Sequence, residues 1–428
     1  MTVIARSDDL RRENQRRILS ALRAAGPVSR TGLSVQTGLS ASTITAITGA
    51  LRESGYVIEA EADAYAPAGH QDDGKEAARP TRRGRPQVAL SLNPGAASVG
   101  ALAVSYNRLS ASLIDYCGQL IDETYVSVDI KSLAPAEFSR HLIVMLDTIL
   151  KRSSDMAGPL RNIVVAVQGV SDAEGTRFQW SPITPHRNIE IGSALEQHFQ
   201  VPVKVLNDAN MIAAALRNLE PERYGNSFAA ILLSQGIGMG MFLHDKLFAG
   251  VLSSAAEFGH MCNIPNGALC RCGRHGCVEA YAGYYAILRR AGGSDPRQLP
   301  EDEKVGIELE TMRKLVEKAR TGDFMAAEAY REAGAALGNG LRSLFALLDP
   351  MPVAFVGSGV VAFDLMEPEI RASLGRGVGL SHENVEIHCY PDDVGLARLG
   401  TISTALAALD RTISPNRTAD AGMLEETG

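Results

Sequence analysis

Residues 61–87 read EADAYAPAGHQDDGKEAARPTRRGRPQ and contain no Leu, Ile, Val, Met, Phe or Trp. A stretch with so little to bury cannot offset the entropy of ordering itself, so it reads as a flexible, basic linker or wing over 63–87. It cuts the 428-residue chain into a short leading segment and a long following one. From 88 to about 410 apolar strands alternate with amphipathic stretches, the pattern of an α/β domain. The remainder, 411–428, is polar and is expected to be a disordered tail.

The leading segment, 1–62, carries helix punctuation. Ile18, Leu19 and Leu22 give one apolar face to a helix that ends near Gly26-Pro27. Ser29 is placed to cap a short second helix that stops at Gly38, and Ser40 a third. In that third helix Ile44, Ile47 and Leu51 fall on one stripe, and Gly55 closes it before the β segment Tyr56-Val57-Ile58. A helix, two short helices around a tight turn, and a strand make a winged helix-turn-helix. With the stripe facing inward, Ser42, Thr43 and Thr45 point outward near the start of the recognition helix, within reach of base edges and phosphates. Arg30 and Arg52 are candidate phosphate contacts. In Arg82-Arg83-Gly84-Arg85-Pro86, Arg83 and Arg85 lie on an extended frame suited to a narrow minor groove. A helical cap domain that never touches DNA, and a solvated charge run, are the competing readings.

The net charge of −7 confines any nucleic-acid surface to a local patch. No apolar run approaches the roughly 18 residues of a membrane span, and the first residues lack a secretory hydrophobic core. Three of the six cysteines crowd into eight residues, which fits a metal site in a reducing cytoplasm better than a disulfide framework. Cys117 and Cys389 are expected to be small buried side chains.

That crowded stretch runs Glu257-Phe-Gly-His260-Met-Cys262, then Cys270-Arg-Cys272-Gly-Arg-His275-Gly-Cys277-Val-Glu279. Cys270, Cys272 and Cys277 offer three soft thiolates, and one histidine completes a Cys₃His tetrahedron suited to structural Zn²⁺. Spacing leaves open whether His260 or His275 is the fourth ligand, and does not exclude Cys262. The redox pattern Cys-x-x-Cys is absent.

Glu-x-Gly-His followed by Cys-x-Cys-Gly-x-x-Gly-Cys-x-Glu resembles the signature of the ROK family of sugar-responsive repressors and sugar kinases. Asn207-Asp208-Ala209-Asn210 is similar to that family's sugar-binding element, Gln235-Gly-Ile-Gly-Met-Gly240 to its second phosphate loop, and Val356-Gly-Ser-Gly-Val360 to its adenosine-side turn. The resemblance implies a two-lobed, actin-like α/β fold over 88–410, divided near 210, behind the DNA-binding segment. It implies His260, Cys270, Cys272 and Cys277 as zinc ligands, and Asn207, Asp208, Glu257, His260 and Glu279 as sugar contacts.

In the family's kinases Asp208 would be the base that activates the sugar hydroxyl. The kinases open with Asp-x-Gly-Gly-Thr, whose amides cradle phosphate. Here Ser105-Tyr106-Asn107-Arg108 stands in its place, Gln235 replaces a Thr, and Met239 replaces a Gly. Phosphoryl transfer rests on positioning and charge stabilisation, so no ATP binding and no catalysis are expected, with Asp208 vestigial. The expectation is a cytoplasmic regulator that binds operator DNA as a homodimer or a dimer of dimers. A sugar closing the cleft would move its DNA-binding units out of register. A sugar kinase with a vestigial leading domain and a sensor controlled by a protein partner are the alternatives.

Overall fold

The computed structural model describes residues 7–60, 88–250, 256–298, 307–376 and 384–413. Arg83, Arg85 and the rest of the linker, with the tail from 414, lie outside the described residues.

The leading unit holds α1 (Ser7–Ala25), β1 (Val28–Ser29), α2 (Arg30–Thr37), α3 (Ala41–Glu53) and β2 (Val57–Glu59). Ser29 Oγ accepts from the Gly32 amide, and Gly38, at φ 67°, gives α2 the left-handed close that glycine adopts freely. Ser40 Oγ accepts from the Thr43 amide at the start of α3. Ile18, Leu19, Leu22, Ile44, Ile47 and Leu51 are all buried, as their periodicity requires.

The third strand of this small sheet comes from across the linker. β3 (Ala89–Leu92) lies between β1 and β2, antiparallel to both, with Val28 opposite Leu90 and Val57 opposite Leu92. The expected boundary at residue 88 therefore falls elsewhere: Val88 leads into the middle strand of the winged unit, not into the sensor.

Two five-stranded sheets follow. The first contains β4 (Ser98–Ser105), β5 (Arg108–Asp115), β6 (Leu120–Ser127), β7 (Leu160–Val167) and, beyond the short β8 (Val170–Ser171) and β9 (Phe178–Trp180), β10 (Val203–Asn207). The second contains β11 (Phe228–Leu233), β12 (Ile237–Leu243), β13 (Lys246–Leu247), β14 (Val353–Val356) and β15 (Ile387–Tyr390). Taking each sheet's strands in chain order, both are arranged 3-2-1-4-5, with an antiparallel meander of three and two parallel additions. Short turns permit the meander, whereas parallel neighbours need a crossover. In the first sheet α4 (Pro135–Arg152) and α5 (Ile191–Phe199) supply them. Between the sheets run α6 (Asp208–Leu219) and α7 (Pro221–Tyr224); within the second lie α8 (Glu279–Ala282), α9 (Tyr284–Ala291), α10 (Leu309–Arg320), α11 (Phe324–Leu348) and α12 (Phe363–Gly375). Every residue of β11, Phe-Ala-Ala-Ile-Leu-Leu, is buried, as a strand covered on both faces must be.

The last helix, α13 (Asp393–Thr412), packs along α6 and back onto β4 and β7. It outlasts the expected end of the domain by two residues, and Ile413 beyond it is buried. One apolar cluster joins Ile18, Leu22 and Leu51 of the leading unit to Val99, Tyr116 and Leu409, so that unit shares a core with the first lobe. Cys389 departs from expectation: it lies on β15, the edge of its sheet, and is exposed. Cys117 is only partly buried.

Candidate functional site

The parallel strand β10 runs into α6 at Asn207-Asp208, between the lobes. The Asn207 side chain is spent on this junction: Oδ1 accepts from the Asn210 amide at 3.1 Å and Nδ2 donates to Gly169 O at 2.8 Å. Asp208, the first residue of α6, accepts from the Ala209 amide at 2.9 Å. Burial pushes its carboxyl up to about 7, and the nearby Asp393 adds to the rise. Asp208 stands where two cavities meet, one of about 80 Å³ and one of about 530 Å³.

The smaller cavity brings together Asn207, Asp208, Glu257, His260 and Glu279, the residues named from the sequence, and adds Trp180 and Asn210. Glu279 is 3% exposed. Its Oε2 accepts from the Ile237 amide at 3.1 Å, and its Oε1 lies 3.6 Å from Cys270 Sγ. Gly236 makes room for that carboxylate, since a Cβ there would stand 2.7 Å from Glu279 Oε2. Trp180 is partly accessible on the wall, with its ring edge-on to His260 at 6.0 Å between centroids. It therefore borders the cavity and does not lie in the core.

Behind this wall His260, Cys270, Cys272 and Cys277 present one ligand atom each, all within 4.8 Å of one another. His260 turns Nδ1 toward Cys270 Sγ, 3.7 Å away, and Nε2 toward Glu257, also 3.7 Å away. The two remaining sulfurs, of Cys272 and Cys277, are 3.8 Å apart. Arms of about 2.3 Å at tetrahedral angles span edges of about 3.8 Å, so this donor set fits a four-coordinate ion. Burial pushes the Cys277 thiol up to about 11 and the Cys270 thiol further still. Burial also acts on Cys272, but hydrogen bonds, chiefly from Arg274, outweigh it and leave that thiol below its ordinary value. The alternatives left open by spacing are resolved by position: His275 is exposed and donates Nδ1–H to Gly267 O at 3.0 Å, and Cys262 is exposed.

In the leading unit Ser42 and Thr45 are exposed near the start of α3, and Thr43 is partly so. Their hydroxyls already have local partners: Ser42 and Thr43 meet Ser40 Oγ at 2.9 and 2.8 Å, and Thr45 donates to Ala41 O at 2.8 Å. Arg30 starts α2. Arg52 is drawn back to Glu59 of β2, 2.7 Å away.

The ROK family profile matches residues 106–395, and a winged helix-turn-helix DNA-binding profile matches 11–58. The chain belongs to the ROK family. It is 25% identical to a xylose repressor of Bacillus spizizenii over 375 residues, 88% of this chain and 90% of that one. It is 30% identical to a glucokinase of Streptomyces coelicolor over 264 residues, 59% of this chain and 80% of that one. A solved ROK transcriptional regulator, described as a homologue of Escherichia coli Mlc, superposes with TM-score 0.70 at 20% identity, covering 94% of this chain and 99% of that one. The solved regulator thus shares both the winged unit and the actin-like domain, whereas the glucokinase match spans 59% of the chain.

The larger half of the cleft is bounded by the turn between β4 and β5 and by the start of α13. Tyr106-Asn107 forms the tight turn between β4 and β5, with Asn107 at φ 53° and the Tyr106 amide donating to Gln168 Oε1 at 3.1 Å. The Gln235 side chain is clamped on the Ile307 backbone by two hydrogen bonds, of 2.6 and 3.1 Å. Gly240 serves helix packing, because a Cβ there would meet Ala209 O at 2.1 Å. The start of α13 could attract phosphate, but Asp392 already accepts from its Gly395 amide at 2.8 Å. Burial raises the Asp393 carboxyl, with Asp392 adding to the effect. Sequence reasoning included Asn210 only as the last residue of Asn-Asp-Ala-Asn, without giving it a contact, and missed this acidic pair. The signals were an asparagine among the alanines of α6 and Asp-Asp at a helix start.

No helix among the described residues is long and apolar enough to cross a membrane.

Proposed function

We propose that this chain is a cytoplasmic transcriptional repressor whose grip on operator DNA is set by a sugar in the smaller cavity. The observation that carries the reading is the joining of a DNA-binding fold, through a common core, to a cleft that is equipped on one side only. The sugar side keeps carboxylates, amides and an imidazole, the groups that satisfy several hydroxyls at once. The other side gathers Asp208, Asp392 and Asp393 where a triphosphate would need cations, and of the two arginines on its wall Arg398 is held by Glu123 at 2.7 Å and Arg108 lies over the Tyr125 ring. Catalysis is accordingly not part of the proposal, although the glucokinase relative keeps that alternative worth an assay.

In this reading α3 enters the major groove with Ser42, Thr43 and Thr45. Arg30 holds phosphate, Arg83 and Arg85 of the linker add minor-groove contacts, and Arg52 braces the wing through Glu59. Zinc on His260, Cys270, Cys272 and Cys277 is structural, because four protein ligands leave no open position. It fixes the His260 ring, so that Nε2 and the neighbouring Glu257 and Glu279 face the sugar in a set arrangement. Sugar bridging Asn207 and Asp208 to that wall closes the lobes. In a dimer, closure shifts the two recognition helices against a half-site spacing of about 34 Å.

The test is fluorescence anisotropy on the DNA upstream of the protein's own operon at two salt concentrations, with and without hexoses, pentoses and N-acetyl sugars. Sequence-selective binding that one sugar changes at least about tenfold, or 1.4 kcal/mol, supports the reading. Weak, steeply salt-dependent binding that no sugar alters, or sugar-dependent ATP turnover abolished by Asp208→Asn, overturns it.

A further inference from the structure

The two asparagines at the start of α6 are in opposite states. Asn207 has spent its carbonyl oxygen and an N–H on the protein itself. Asn210, one turn on, is 8% exposed, yet its Oδ1 has no hydrogen-bond partner. A buried carboxamide left unsatisfied is costly, and such groups are few in folded proteins. Asn210 also lies on the wall of the smaller cavity, on the same helix as Asp208, with Met239 and Glu257 among the other lining residues. Its backbone is held by the Asn207 cap, so the side chain is the free part, and rotation about Cβ–Cγ exchanges its acceptor and donor.

We infer that Asn210 is a ligand-binding residue that reads one hydroxyl of the bound sugar. The inference rests on the sugar-responsive reading above and deepens it by naming what confers selectivity. A sugar bearing that hydroxyl satisfies the amide, which accepts from the O–H or donates to its oxygen. The corresponding deoxy sugar leaves the amide buried and unpaired. Sites built around a buried polar group reject a ligand lacking the matching group far more strongly than apolar pockets reject a missing methylene. Asn207, whose carbonyl is committed, contributes less to this choice than the resemblance implied.

Trp180, the single tryptophan, reports binding from the same cavity wall. Titrating wild-type protein with the sugar panel and with single-deoxy analogues of the best sugar gives a ratio of affinities for each position. We expect one analogue to bind at least tenfold more weakly than its parent. That ratio falls to about one in Asn210→Leu and Asn210→Ala, and recovers in part in Asn210→Asp. The ratio compares two ligands on one protein, so partial destabilisation of a variant does not mimic the result. If Asn210→Leu does not fold, the alanine and aspartate variants decide. A wild-type pattern of ratios retained in the folded variants overturns the role of Asn210 while leaving the sugar reading intact. Absence of any sugar response in the wild-type protein, by Trp180 fluorescence and by DNA affinity, overturns both.

Discussion

Arg23 of α1 donates to both oxygens of Asp410, at 2.9 and 3.1 Å, across 387 residues of sequence. Tyr116 donates to the same carboxylate at 2.9 Å and lies 5.3 Å beneath the Arg23 guanidinium. Gln15 reaches Ile413 O at 2.9 Å beside them. Asp410 is near the end of α13, the helix whose first turn borders the cleft, about 25 Å away at 1.5 Å per residue. One helix thus touches both the cleft and the winged unit.

The pair is largely buried, with side chains 20% and 6% exposed. Removing one partner of such a pair strands the other, at about 3–5 kcal/mol. Asp410→Ala should lower the unfolding free energy by that amount, read as a lower urea midpoint at unchanged m, and weaken operator binding. Arg23→Met with Asp410→Leu should recover most of the stability, and urea titrations of the three proteins test this.

Asp208 makes ligand binding depend on pH. Its carboxyl, pushed up from 3.8 to about 7, keeps a proton in the folded protein that the unfolded chain sheds, so the unliganded protein loses stability as pH rises across that interval. Sugar hydroxyls favour the ionised form and pull the value down. Affinity should therefore rise from pH 6 to pH 8 with release of a proton, and Asp208→Asn should flatten the profile. Calorimetry in two buffers of different ionisation enthalpy counts that proton.

Zinc removal should be felt at the sugar. Elemental analysis should give one zinc per chain for the wild type and none for Cys270→Ser. Displaced outer partners of a metal site typically cost about 10–100-fold. A loss of sugar affinity on that scale, in the variant and after chelation, is expected in a Trp180 titration.

At the DNA, phosphate contacts set the salt dependence. Arg30→Ala should reduce the slope of log affinity against log salt by about one, while Arg52→Ala, whose side chain is held by Glu59, should leave it unchanged. Thr45→Val should alter the preference among operator variants more than the slope. Anisotropy at four salt concentrations separates the two effects.

Local chemistry was legible in the sequence. The caps at Ser29 and Ser40, the close at Gly38, the Ile44–Ile47–Leu51 stripe and the three clustered cysteines depend on neighbours within a few turns of chain, whereas spacing left the fourth ligand open and only the resemblance named His260. What escaped depends on distant partners. Residues 88–92 read as the start of the sensor because their strand partners, Val28–Ser29 and Val57–Glu59, lie across a linker. The pairing of Asp410 with Arg23 escaped because 387 positions separate the two. Asn207 and Asn210 look equivalent in Asn-Asp-Ala-Asn, and only the distance to Gly169 O separates them. Cys389 was taken as buried because free cysteines usually are, and local sequence does not reveal that a strand ends its sheet.

The middle strand borrowed from residues 89–92 has a practical consequence for anyone recombining such proteins. A chimera that exchanges the reading head by joining at the linker would carry away β1 and β2 and leave behind the strand that pairs with both. A functional transplant must move two separate pieces of chain, 7–60 and 88–92, and re-create the seat for Arg23 at the far end of the polypeptide.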